Sequence, residues 1–133
     1  MAFISVTRLR VRSAWYLPGF FFYALWSENQ AKSAPGNLDV ELLKCTKRTF
    51  WTKTAWQDEA AMRAFMMAMP HGGAMRKLAN WCDEASVVHW TQNTADLPDW
   101  QEAHRRMATE GRRSRVLHPS EAHLDFRIPP PSF

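Results

Sequence analysis

Residues 3–12, FISVTRLRVR, alternate with a period of two. Phe3, Ser5, Thr7, Leu9 and Val11 share one face; Ile4, Val6, Arg8, Arg10 and Arg12 share the other. Successive side chains of a strand point to opposite sides, so this is a strand with two different surfaces. Each surface carries apolar residues, and each needs a cover.

The segments that follow supply one of the two covers. Around 16–34, Leu17, Phe20, Phe21, Ala24 and Leu25 recur at helical spacing, and Pro18 suits a first helical turn. Pro35-Gly36-Asn37 stops that helix, with Gly36 free to take a left-handed conformation. LDVELLKCT (38–46) and RTFWTKTAW (48–56) read as an antiparallel hairpin closed tightly at Lys47. Asp58 is a candidate N-cap, and Met62, Phe65, Met66 and Met69 form the stripe of a second helix. Pro70 ends or kinks it, and a short helix with Ala74, Met75 and Leu78 inward follows. EASVVHWTQN (84–93) is a fourth strand. LPDWQEAHRRMATEG (97–111) is a last helix between Asp99 and Gly111, and from 112 an Arg- and Pro-rich tail runs extended to IPPPSF.

This order is β-α-β-β-α-β, the ferredoxin-like arrangement of an α+β fold: a four-stranded antiparallel sheet with helices on one face. Ile4, Val6 and Trp51 point to the other face. Few elements remain to cover it, so a homodimer with the two sheets packed together is the expected solution. The 133 residues form one domain, with a core over 3–93 and the helix and tail of 97–133 as an addition.

Composition narrows the class. Hydrophobic residues make up 46%, including seven Trp, eight Phe and seven Met, which fits a bulky core and also a roomy apolar pocket. Cys45 and Cys82 form neither a CxxC nor a zinc spacing, so no metal or redox motif is present and a reducing cytoplasm is the expected compartment. The first residues alternate like a strand and lack the apolar run of a signal peptide. FFFYALW (20–26) falls far short of the ~20 residues that span a bilayer. The net charge is +4, much of it from Arg105, Arg106, Arg112, Arg113 and Arg115. No helix-turn-helix, zinc knuckle or RNP-like motif accompanies them, so they read as a solvated helix end and not as a nucleic-acid surface.

The run FWTKTAWQDEAAMRAFMMAMPHGGAM (50–75) resembles the antibiotic biosynthesis monooxygenase-like superfamily, whose members are dimeric α+β barrels. The resemblance covers residues 3–93. It rests on Trp56 closing the third strand, the Ala-Met-x-x-Phe run of 61–65 and the His-x-x-Ala-Met run of 71–75. More narrowly, the chain resembles a bacterial branch related to spheroidene monooxygenase. The resemblance implies a pocket between helices and sheet in each subunit. Some members of the superfamily oxygenate polycyclic phenols there without a cofactor: the protein removes a proton and the carbanion reacts with O₂. Others hold heme, and spheroidene monooxygenase is similar to these. The Asn, Trp and His of the heme-degrading members fall at Thr7, Phe65 and Met75 here. None matches, which argues against heme degradation of that type.

His71 is the candidate catalytic residue. It shares the inward face of Ala74 and Met75 and lies near a helix start, where the dipole favours the neutral imidazole that a base or metal ligand needs. Gly72 and Gly73 leave room beside it. A core histidine bonded to backbone fits the same pattern. His89, phased with Val87 on the fourth strand, meets His71 across the pocket only if it faces the helices. Phe65, Met66, Met69, Met75, Trp56 and Thr7 would line the pocket with it. Trp26 and Trp81 close the pocket or an interface; His104, His118 and His123 read as surface residues. Three functions follow: a monooxygenase-like protein acting on a hydrophobic polycyclic or polyene molecule, with no cofactor; a heme protein ligated by His71 or His89; or a non-catalytic small-molecule binding protein.

Overall fold

The β1 strand, Ala2–Val11, lies between the strands Thr49–Trp56 and Cys82–Gln92, and both neighbours run antiparallel to it. The computed structural model describes residues 1–68 and 77–131. Its elements are β1, a single 3₁₀ turn, α1 (Leu17–Ser33), β2 (Asn37–Cys45), β3 (Thr49–Trp56), α2 (Glu59–Ala68), β4 (Cys82–Gln92), α3 (Trp100–Glu110), β5 (Arg112–Arg113) and α4 (Glu121–Leu124). Residues 77–81 are helical and lead directly into β4. The sheet order is β2-β3-β1-β4-β5. This is the ferredoxin-like α+β fold expected from the element order, with a two-residue edge strand added where an irregular tail was expected.

Local chemistry sets most of the boundaries. Pro18 stands in the first turn of α1, where its missing N–H costs nothing. Gly36 takes φ +83°, so the chain turns back into β2. The Asp58 carboxylate accepts from the Ala61 N–H at 2.8 Å, and Asp99 accepts from Glu102 N–H at 2.8 Å, so both expected caps are in place. The β2–β3 turn puts Lys47 and Arg48 at φ +59°, a left-handed conformation carried by two residues with side chains. Arg48 offsets some of that cost by donating from Nε to the Val11 carbonyl at 2.9 Å.

One sheet face is covered by α1, residues 77–81 and α2. Phe20 of α1 packs with Val11, Phe50 and Cys82, while Met62 of α2 packs with Phe3 and Trp56. Within the expected α1 stripe, Leu25 is the exception: it is exposed, and Ala31 is buried in the face.

The other face differs from expectation. Ile4, Val6 and Trp51 do point there, and all three are fully buried. Within the chain, α3 and the tail lie over this face: Ala103 and Met107 lie against these residues, with Trp100 and Ile128 beside them. Burying each large side chain contributes about 1.5–3 kcal/mol, so this seam is a second core. Lys53 is also under this cover. Its ammonium donates to the Pro98 carbonyl at 2.6 Å, lies 3.9 Å from the Trp100 ring centroid and pairs with Glu41 at 3.2 Å. Arg106 stacks over Trp90 at 4.4 Å, so part of the basic cluster packs instead of solvating a helix end. His104 likewise leaves the surface group: half-buried, its Nε2 meets the Ile128 carbonyl at 2.6 Å.

Met107→Ala should lower unfolding free energy by about 2–4 kcal/mol in urea denaturation, because the side chain is fully enclosed. Asp99→Ala should cost about 1 kcal/mol through loss of the cap alone.

Candidate active site

Cross-strand register determines which side chains meet beneath the helices. Residues directly opposite on antiparallel strands share a face. Two rows therefore cross the middle of the helix-facing side: Val40–Thr54–Ser5–His89 and Leu42–Thr52–Thr7–Val87. Aromatic rows flank them. At one end Phe50 packs against Phe20 and Phe21, with centroids 4.6 and 5.3 Å apart. At the other, Phe65 lies over Trp56 at 5.2 Å and Phe3 meets His89 at 5.3 Å. The middle rows carry short hydroxyl side chains and are only half-buried. The result is a half-buried polar strip between aromatic clusters beneath the helices.

His89 is therefore on the helix side, which strand alternation alone left open. Burial lowers its pKa from the ordinary 6.5; Arg112 and Arg63 add to this and Glu59 opposes it. Its imidazole is neutral at pH 7, able to accept a proton at one nitrogen and donate from the other. Of the eight residues in the two middle rows, it alone has an acid–base side chain. Trp56 is almost completely buried and spends its indole N–H on the Thr54 hydroxyl at 2.8 Å. Thr54 in turn donates to the Ser5 carbonyl at 3.3 Å.

Of the residues expected to line a pocket, Trp56, Phe65, His89 and Thr7 lie on or against the helix-facing side of the sheet. Met66 is 42% exposed, one position past the inward Phe65. His71, Met69 and Met75 lie outside the described residues. Sequence reasoning missed Ser5, Thr52 and Thr54. Their alternation with Phe3, Phe50 and Trp56 was visible, but only the register sets them in rows beside Thr7 and His89. Trp81 packs against Gly19 of α1, where a Cβ would come within 3.3 Å of the indole. Cys82 is no nucleophile: burial, aided by Asp83, pushes its thiol up to about 12. Among the described residues, no group of three His, Cys, Asp or Glu side chains could hold a metal. No helix among them is long and apolar enough to cross a membrane.

A family model described as a domain of unknown function, DUF3291, matches residues 6–114. The chain belongs to that family. The matched span of this DUF3291 protein runs from within β1 through β5 and includes the Leu42–Thr52–Thr7–Val87 row and all of the other row but Ser5. No curated protein matches the sequence. Among solved structures, it is similar to SnoaB, a cofactor-independent oxygenase from Streptomyces nogalater, at 19% identity and TM-score 0.54, covering 70% of this chain and 94% of that one. A proposed antibiotic biosynthesis monooxygenase from Nitrosomonas europaea matches at 17% identity and TM-score 0.58, over 68% and 89% of the two chains. The NE2512 protein of unknown function from the same organism matches at 22% identity and TM-score 0.57, over 73% and 94%. At these identities the likeness shows the fold: the DUF3291 chain has the architecture of antibiotic biosynthesis monooxygenase-like proteins.

The histidines set an acid limb of stability. His123, whose Nδ1 accepts from the Ala85 N–H at 3.3 Å, is also lowered, by burial and then Arg113, with Glu84 and Asp83 opposing. Folded pKa values below the unfolded 6.5 mean that the unfolded chain binds more protons. Stability should be full above about pH 6.5 and fall as pH drops through the lowered values. Thermal melts of wild type and a His89→Gln/His123→Gln variant between pH 5 and 7.5 should show a shallower acid limb in the variant.

Proposed function

We propose that this DUF3291 protein is a monooxygenase-like protein that holds a hydrophobic polycyclic or polyene small molecule in the cleft between helices and sheet. The observation that carries the reading is the pair of half-buried rows, Thr54–Ser5–His89 and Thr52–Thr7–Val87, set between aromatic clusters. Such a cleft offers an apolar ring system flat walls and offers one phenol or ketone oxygen a few donors. The likeness in fold to a cofactor-independent oxygenase supports the chemistry. The polyene alternative rests on the resemblance to spheroidene monooxygenase.

In this reading a neutral histidine removes a proton from an activated ring CH₂, with His71 as the acceptor and His89 positioning the substrate oxygen. The carbanion reacts with O₂. One oxygen atom becomes a ring carbonyl and the other leaves as water, so a CH₂ and one O₂ are consumed for each C=O and H₂O formed. No external reductant is needed. Excluding water from the cleft would strengthen hydrogen bonds to the developing enolate.

Oxygen uptake with a polycyclic phenol whose ring bears an activated CH₂ tests this. Turnover should be saturable, and His71→Ala should lower kcat by about 10²–10⁴, the usual contribution of a general base. His89→Ala should act mainly on KM. Titration with hemin separates the heme reading: a Soret band that shifts on binding and disappears in His71→Ala or His89→Ala would replace the cofactor-free mechanism. Binding of the phenol with no oxygen uptake would leave a small-molecule binding protein.

A further inference from the structure

The second face of the sheet carries charge as well as core. Toward the β2–β3 turn, a cavity of about 270 Å³ opens on that face. Its walls come from β1, β3, β4 and the turn, and Pro129–Pro131 of the tail lie across it. Three cationic side chains, Arg8, Arg10 and Lys47, line it against one carboxylate, Glu84.

Arg8 is the unusual member. It is 4% exposed, and its Nη1 donates to Glu84 Oε1 at 2.7 Å. Its Nε is buried with no partner. Glu84 has little left to give: Oε1 takes Arg8, while Oε2 accepts from Arg10 Nη1 at 3.0 Å and from the Ser120 hydroxyl at 2.9 Å. A buried donor on a charged group without an acceptor is costly, and no described residue supplies the acceptor for Arg8 Nε. The side edge of a guanidinium, Nε with Nη2, is the donor pair that meets two oxygens of one oxyanion. Nη1 is the nitrogen committed to Glu84, and the unpartnered Nε belongs to the side edge.

We propose that this cavity binds the oxyanion of a small molecule, a carboxylate or phosphate, with the free edge of Arg8 as anchor and Lys47 as the second cation. The apolar part of such a ligand would rest against Trp51 and the proline roof. The site lies on the opposite sheet face from the His89 cleft, so it stands or falls independently of the oxygenation reading.

Calorimetric titration of the full chain with inorganic phosphate, and separately with succinate, tests the proposal at matched ionic strength. Saturable one-to-one binding of at least one probe is expected. Binding of phosphate alone would point to a phosphate ester as ligand, and binding of succinate alone to a carboxylate. Arg8→Gln should abolish it. Because that change also strips Glu84 of a partner and can unfold the chain, Lys47→Asn is the companion variant. It removes an exposed charge while keeping a residue that tolerates the left-handed turn, and should weaken binding about tenfold, the equivalent of one charge-assisted contact. Absence of saturable heat for both probes with folded wild type overturns the proposal. So does binding that Lys47→Asn leaves unchanged.

Discussion

The closure of the second sheet face depends on how one ammonium group is buried. Lys53 sits in the middle of β3, on the side that carries Trp51 and Ala55, and α3 packs over it. A lone ammonium there would keep the face wet, because stripping its water costs several kcal/mol. Pro98, Trp100 and Glu41 replace that water with a carbonyl, a ring face and a carboxylate. Two of the three come from the start of the C-terminal helix. The contact that makes Lys53 tolerable is therefore the contact that fixes α3 across the sheet, and Ala103 and Met107 complete the seam.

That closure reorganises the functional geography. In a face-to-face barrel the second face would be a subunit interface. Here it is an internal core over most of its area and a charged cavity at one end. The helix side has a polar middle because Ser5, Thr7, Thr52 and Thr54 occupy positions that Phe3, Leu9, Phe50 and Trp56 fill on either side. Two chemically distinct environments are thus held apart by the thickness of one sheet. Half-buried polar rows with a neutral histidine face one way, and an arginine whose Nε lacks a partner faces the other.

Much of the fold was legible in the chain. The alternation of residues 3–12 predicted the two-faced strand; Pro18, Gly36, Asp58 and Asp99 marked the boundaries they occupy. These signals are local: a proline ring, a positive φ or a capping carboxylate acts within a few residues. The site was legible only in part. Trp56, Phe65, Thr7 and His89 were named, but His89 could not be assigned a face and its neighbours Ser5 and Thr54 passed unnoticed. Register is a property of two strands, and neither strand's sequence states it alone. The C-terminal helix was foreseen as an element but not as a cover, since its amphipathic stripe, Ala103 and Met107, says only that it packs, not against what.

The sequence by itself determined the order β-α-β-β-α-β, the helix ends and the existence of two apolar sheet faces, because periodicity and capping are encoded residue by residue. Tertiary structure alone decided that α3 covers the second face within the chain, that His89 shares a row with Ser5 and Thr54, and that Arg8 is buried with Glu84 while its Nε lacks a partner. Those outcomes turn on pairings between residues far apart in the chain, such as Ser5 with His89, 84 positions on. They depend on which surfaces exclude water together, and that is fixed only when the whole sheet is assembled.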